Sequence, residues 1–151
     1  MVNGVLSPER AAAMSERGRL VDAAGGQPYS AAAMSLVLHP AHPLVPTLRG
    51  DVRVFQVGGR CWFGGGCDLT PAYLFEDDAR EFHCHWRSLC DERCGEGVYA
   101  GFKAWCDRYF YLPARGEHRG VGGVFFDDLE EGEQPYAVRT VRGVCWGKKG
   151  G

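Results

Sequence analysis

Hydrophobic positions recur along this chain with two different periods, and each change of period marks a change of element. In "RGDVRVFQVGGRCWFGGGCDL", residues 49–69, Val52, Val54 and Gln56 fall on one side of an extended chain. Arg53, Phe55 and Val57 fall on the other, because strand side chains alternate. Gly58-Gly59 separates two such runs and predicts a hairpin. The period then lengthens. In "DDAREFHCHWRSLCDERC" Phe82, Trp86, Leu89 and Cys90 recur at helical spacing behind acids in the first turn. "YAGFKAWCDRYFYL" repeats the pattern with Phe102, Trp105, Cys106 and Tyr109.

The remaining segments are read from their punctuation. "VLSPERAAAMSERG" predicts a helix with Ser7 as N-cap, Pro8 at the first helical position and Gly18 just past the end. "YSAAAMSLVLHP" is extended and stops at a proline, and "HPAHPLVPTL" is a stiff, irregular loop. "RGEHRGVGG" is a basic, glycine-rich loop feeding "VGGVFFDDL", a buried strand that exits into paired acids. The final stretch from Glu130 to Gly151 shows no clear period and is expected to be a ragged tail. Strands and helices in this order predict an α+β fold, an antiparallel sheet covered by helices.

Composition narrows the classes. A chain of 151 residues, 45% of them hydrophobic, is long enough for one domain with a core. A formal net charge of -2 with mixed signs gives no nucleic-acid signature. The sequence contains no apolar run of bilayer length, and "MVNGVLSPER" lacks the basic and apolar regions of a signal peptide, so a soluble chain is expected. The seven cysteines are odd in number and form no CxxC pair, which favours reduced thiols in an intracellular protein. An alternative is a small zinc-binding module. His83, Cys90 and Cys94 share one stripe of the predicted helix, with Cys84 and His85 beside them.

One stretch asks for a chemical explanation. "CWFGGGCDL" gives up side chains at three successive strand positions, Gly64, Gly65 and Gly66, and then places an acid, Asp68. Glycine inside a strand marks a bulge or a close approach to the backbone. The approaching group is either protein or ligand. Asp68 is a candidate base, charge stabiliser or turn cap, and Arg53 a candidate anion contact or a solvated strand residue.

"WFGGGCDLTPAYLFEDD", "FKAWCDRYFYL", "RGEHRGVGGVFFDDL" and "SLVLHPAHPLVPT" together, collinear over about residues 3 to 129, resemble the oxygen-dependent coproporphyrinogen III oxidases. The resemblance implies oxidative decarboxylation of two propionates of coproporphyrinogen III to vinyl groups, giving protoporphyrinogen IX in haem biosynthesis. Dioxygen would be the co-substrate, with no organic cofactor, and carbon dioxide and hydrogen peroxide would leave. The implied architecture is a flat antiparallel sheet flanked by helices, in a homodimer, with the macrocycle in a cleft. Asp68 and Arg53 then take catalytic positions, and Ser35, Asp51, Arg53, Gly64, Gly65 and Gly66 line the substrate, the glycines clearing a floor for the tetrapyrrole. A catalytically impaired relative that only binds porphyrin(ogen) is the alternative within the same family.

The chain departs from the family's motifs in places. Where the family has "PTxHxNxR", with a proton-donating histidine and a substrate-binding asparagine, this chain has Arg49 and Asp51. Ala114 stands where "HRGExRG" begins with histidine, and His42 replaces the asparagine of "HPxNP". Of four histidines implicated in metal binding in bacterial members, His39 and His83 match, so a divalent metal is not expected. The motifs end at "FFDDL", which predicts a partial oxidase domain over residues 1–129, incomplete on its C-terminal side, and an unmatched tail over 130–151. A cytoplasmic location is expected, with plastid or mitochondrial intermembrane space as alternatives.

Overall fold

The computed structural model describes residues 1–19 and 21–130. Strands β1 (Val2–Val5), β2 (Pro28–Leu38), β3 (Thr47–Val57), β4 (Arg60–Thr70) and β7 (Gly122–Glu130) form one antiparallel sheet in the order β1-β2-β3-β4-β7. Helix α1 (Pro8–Glu16) links the first two strands, and α2 (Glu76–Arg93) and α3 (Val98–Tyr109) lie between β4 and β7. A short hairpin, β5 (Tyr111–Leu112) with β6 (Glu117–His118), follows α3. The architecture is the expected α+β one.

The expected local signals operate. Ser7 Oγ accepts a hydrogen bond from the Arg10 backbone N–H (3.4 Å) at the start of α1, and Pro8 occupies its first turn. Glu76, Asp77 and Asp78 crowd the first turn of α2, where carboxylates complement the helix dipole. Two elements differ from expectation. Val2–Val5 is a strand, too short to show an alternation, and it exists because it pairs with Pro28–Ala31. Helix α3 ends at Tyr109, and "YL" turns back to pair with "EH" inside the basic loop. The expected tail lies outside the described residues beyond Glu130.

Alternation gives the sheet two unlike faces. On one, α2 and α3 cover Cys67, Val124, Phe126 and Leu129, with Trp86, Cys90, Tyr99 and Phe102 supplied by the helices. Phe102 and Phe126 pack at 5.2 Å between ring centroids. Towards β2 this face is open, and Met34, Leu36 and Leu38 stay exposed. On the other face α1 covers one end, burying Leu6, Ala11 and Met14 against Val57 and Trp62, with Tyr29 and Phe55 at the margin. The rest of that face is lined by charged and small residues.

Candidate functional site: an arginine–aspartate floor on the sheet

Strand register assembles the site. Three cross-strand rows run over the uncovered face: Val37–Arg49–Asp68–Gly123, Ser35–Asp51–Gly66–Phe125 and Ala33–Arg53–Gly64. Paired residues share a face, so Ser35, Asp51, Arg53, Gly64, Gly66 and Asp68 all line one surface. The next row along, Ala31–Phe55–Trp62, is three rows from Asp68, about 20 Å by strand rise. Gly65 does not join them. It belongs to the helix face, where a Cβ would stand 3.1 Å from Phe126 Cζ and 2.7 Å from the Asp51 carbonyl oxygen.

Protein occupies the room that the glycines leave. A Cβ at Gly64 would lie 2.5 Å from Arg53 Nε and 2.6 Å from Asp127 Oδ1. One at Gly66 would lie 2.7 Å from the Val124 carbonyl oxygen. Gly64 therefore lets the Arg53 and Asp127 side chains lie low on the sheet, next to a register shift between Phe63 and Gly65. Gly66 admits the backbone of β7.

Charges alternate across the floor. Asp68, 2% exposed, receives two hydrogen bonds from Arg119, Nε to Oδ2 at 2.8 Å and Nη2 to Oδ1 at 2.7 Å. Such a bidentate pair fixes both partners in a plane. Arg49 Nη1 adds a contact at 3.5 Å and lies between Asp68 and Asp51, its Nη2 at 3.2 Å from Asp51 Oδ1. Arg53 donates to Asp51 Oδ2 at 2.6 Å and also pairs with Asp127 at 3.2 Å. The order across the face is thus Arg119, Asp68, Arg49, Asp51, Arg53, Asp127. Aromatic rings frame it, Arg119 lying 3.6 Å over Phe110 and Arg53 5.8 Å over Phe125. Tyr109 stacks on Phe125 at 4.2 Å. Guanidinium groups tolerate partial dehydration against rings, so this frame keeps the cations flat and in place.

Arg119 is the residue of this charged floor that sequence reading missed. The hairpin β5–β6 returns the chain so that the Arg119 N–H bonds the Phe110 carbonyl (3.1 Å) and the Val121 N–H bonds that of Leu69 (3.0 Å). Between them Gly120 adopts φ +53, and a Cβ there would run into the Leu69 carbonyl oxygen, so the position is closed to larger residues. The available signal was the basic loop "RGEHRGVGG" itself, but its partner stands 51 residues earlier.

The histidines and cysteines form no comparable site. His83 lies on α2, with Nε2 donating to the Val121 carbonyl (3.0 Å) and Nδ1 accepting from the Tyr99 hydroxyl (2.7 Å). Burial, its largest influence, holds His83 below the ordinary histidine range. Cys90 is buried, and its Cys94 contact together with burial pushes its thiol up. Both His83 nitrogens being engaged, the zinc arrangement with Cys90 and Cys94 is not assembled. Among the described residues no group of three His, Cys, Asp or Glu could hold a metal ion. His39 and His42 sit exposed in the loop after β2. Burial also raises the Cys67 thiol, on the helix face beside Asp68, to about 12.

Comparison with known proteins identifies the family. The sequence profile of "Coproporphyrinogen III oxidase" matches residues 1–146. The chain belongs to the coproporphyrinogen III oxidase family. It is 44% identical over 148 residues to the mitochondrial oxygen-dependent coproporphyrinogen-III oxidase of Rattus norvegicus, covering 94% of this chain and 33% of that protein. It is 43% identical over 144 residues to the chloroplastic enzyme of Glycine max, covering 89% and 37%. The oxygen-dependent enzyme of Coxiella burnetii (strain RSA 331 / Henzerling II) matches at 51% over 113 residues, 72% and 36%. The chain spans about a third of the length of the curated relatives it matches. Arg49, standing where the coproporphyrinogen III oxidase motif has histidine, is tied to two carboxylates and stacked 5.0 Å over Phe110. No helix among the described residues is long and apolar enough to cross a membrane.

Proposed function

We propose that this chain carries out the family's reaction, the oxygen-dependent oxidative decarboxylation of coproporphyrinogen III to protoporphyrinogen IX. For each propionate, CH2–CH2–COO⁻ with O2 and one proton becomes CH=CH2, CO2 and H2O2. The observation that supports this reading is the sheet surface on which alternating arginines and aspartates meet small residues. Ala31, Ala33, Ser35 and Gly64 keep the surface low enough for a broad tetrapyrrole to lie against it.

Roles follow from the contacts. Arg53, half-exposed, presents a guanidinium whose fork suits a propionate carboxylate. Asp68 has both oxygens engaged by Arg119, so it acts as a fixed negative charge beneath the macrocycle. It stabilises positive charge developing on the pyrrole as electrons pass to oxygen. Ser35 and Asp51 supply polar contacts in the neighbouring row, while Gly64, by letting the Arg53 and Asp127 side chains lie low, sets the height of the floor. An arginine side chain cannot take over the role of a proton-donating histidine at position 49. The proton comes from His39 or His42 in the adjoining loop, or from water. Dioxygen is the co-substrate and no organic cofactor is required. A homodimer in the cytoplasm completes the reading, and an odd number of cysteines without a CxxC pair suits a reducing compartment.

The test is aerobic turnover of coproporphyrinogen III by the purified chain, with products oxidised and separated. Protoporphyrin formation that falls at least 100-fold in Asp68→Ala and in Arg53→Ala supports the assignment, on the scale of one lost electrostatic stabiliser. A folded protein that yields no product is instead a porphyrin-binding relative.

A further inference from the structure

Two cavities continue the floor towards α1. One, about 330 Å³, is bounded by Ala31, Ala33, Arg53 and Gly64 and reaches Arg17 and Arg19. The other, about 260 Å³, shares Arg17, Arg19 and Phe55 with it and ends at Arg10, Met14 and Tyr29. Together they make a continuous trough from Arg53 to the outer side of α1.

The charges in this trough differ from those of the floor. Every arginine of the floor faces an aspartate. Arg10 and Arg17 form no ion pair with a described carboxylate, while Arg19 is tied to Asp128. Arg19 lines both cavities, lying 5.9 Å over Phe55 and 5.7 Å over Trp62. Its Nε is buried and donates to no described residue. Burial holds this guanidinium below its ordinary value, and the positive charges of Arg17 and Arg53 push the same way, against Asp127. A surplus of cations beside an aromatic wall favours one kind of occupant, an anionic group carried on a flat apolar body.

We propose that Arg17 and Arg10, at the α1 end of the trough, bind a carboxylate at the far edge of a tetrapyrrole whose body lies over Ala31, Ala33 and Gly64. The proposal rests on the reading above, in which Arg53 takes a carboxylate at the near end. It extends the site by a second anchoring point, and it makes affinity depend on how many carboxylates the ligand carries. A ligand with carboxylates at both edges reaches both points, and one with carboxylates at a single edge reaches only one.

The experiment uses the 151-residue chain and two stable porphyrins, coproporphyrin III with four carboxylates and mesoporphyrin IX with two, titrated by fluorescence. Arg10 and Arg17 are exposed, so Arg10→Gln/Arg17→Gln is expected to melt with the parent protein. The double variant should bind coproporphyrin III about tenfold more weakly, the scale of one charge-assisted hydrogen bond. It should bind mesoporphyrin IX within twofold of the parent, and Arg17→Lys should recover part of the loss. Equal weakening of both porphyrins, or no weakening, overturns the second anchor while leaving the oxidase reading intact. A parent protein that binds neither porphyrin overturns both.

Discussion

The two faces of the sheet bury residues equally well by opposite means. Phe126, fully buried on the helix face, is held by Phe102, Leu129 and the helices, none of which needs a fixed orientation to exclude water. Asp68, 2% exposed on the other face, is held by hydrogen bonds whose geometry is fixed. A burial measure does not distinguish them, but their failure modes differ. Loss of apolar volume leaves a cavity, whereas loss of a counter-ion leaves a buried charge. The helix face supplies stability through area. The charged face uses part of that stability to hold a preorganised surface, the arrangement that a binding or catalytic site requires.

The sharpest way to break this comparison is to delete one residue from each face. Phe126→Ala should cost about 3–5 kcal/mol in denaturant unfolding and respond little to salt. Arg119→Ala should cost about 3 kcal/mol, since Arg49 remains near Asp68 only at 3.5 Å. The double variant Arg119→Ala/Asp68→Ala should be more stable than the sum of its singles by about 1–3 kcal/mol. Additive effects there would mean that the pair is not the source of the cost.

Smaller effects come from the glycines, which face opposite ways. Gly65→Ala drives a methyl into the Asp51 carbonyl and Phe126 and should destabilise by about 1–3 kcal/mol. Gly64→Ala meets only the ends of Arg53 and Asp127, which can move. It should cost under about 1 kcal/mol in stability while lowering kcat/KM, because Arg53 is displaced. The reverse order in melting and kinetics would show that Gly64 serves the fold.

The smallest effect is a pH dependence confined to the helix face. His83 has a lower pKa folded than its ordinary 6.5 unfolded, so the unfolded chain takes up protons first as pH falls. Its contribution is complete above about 6.5 and is lost as pH drops below that value. His83→Gln should flatten the fall in stability between pH 7 and 5.5, measured by thermal melts. A parallel fall in parent and variant would assign the dependence to other groups.

Legibility in the sequence followed the range of the interaction. The β3–β4 hairpin, α1, α2 and α3 were readable because period, caps and glycine turns act over a few residues. Alternation placed Arg53 opposite Val52 and Val54, and the same rule separates Gly65 from Gly64 and Gly66. Reading the three glycines as one motif obscured it. Asp68, Asp51 and Ser35 are 17 and 16 residues apart in sequence and converge through register, which the chain pattern alone does not supply. Arg119 was illegible for the same reason, and β1 because a four-residue strand is defined only by its partner.

The most direct test of the division between faces is NMR of the labelled chain during addition of coproporphyrin III. The Nε–H resonances of Arg53 and Arg119 and the amides of Ala31, Ala33 and Ser35 should shift, while those of Trp86, Cys90 and Phe102 remain in place. Shifts concentrated on α2 and α3, with the arginines unmoved, would contradict the assignment of the charged face as the tetrapyrrole surface.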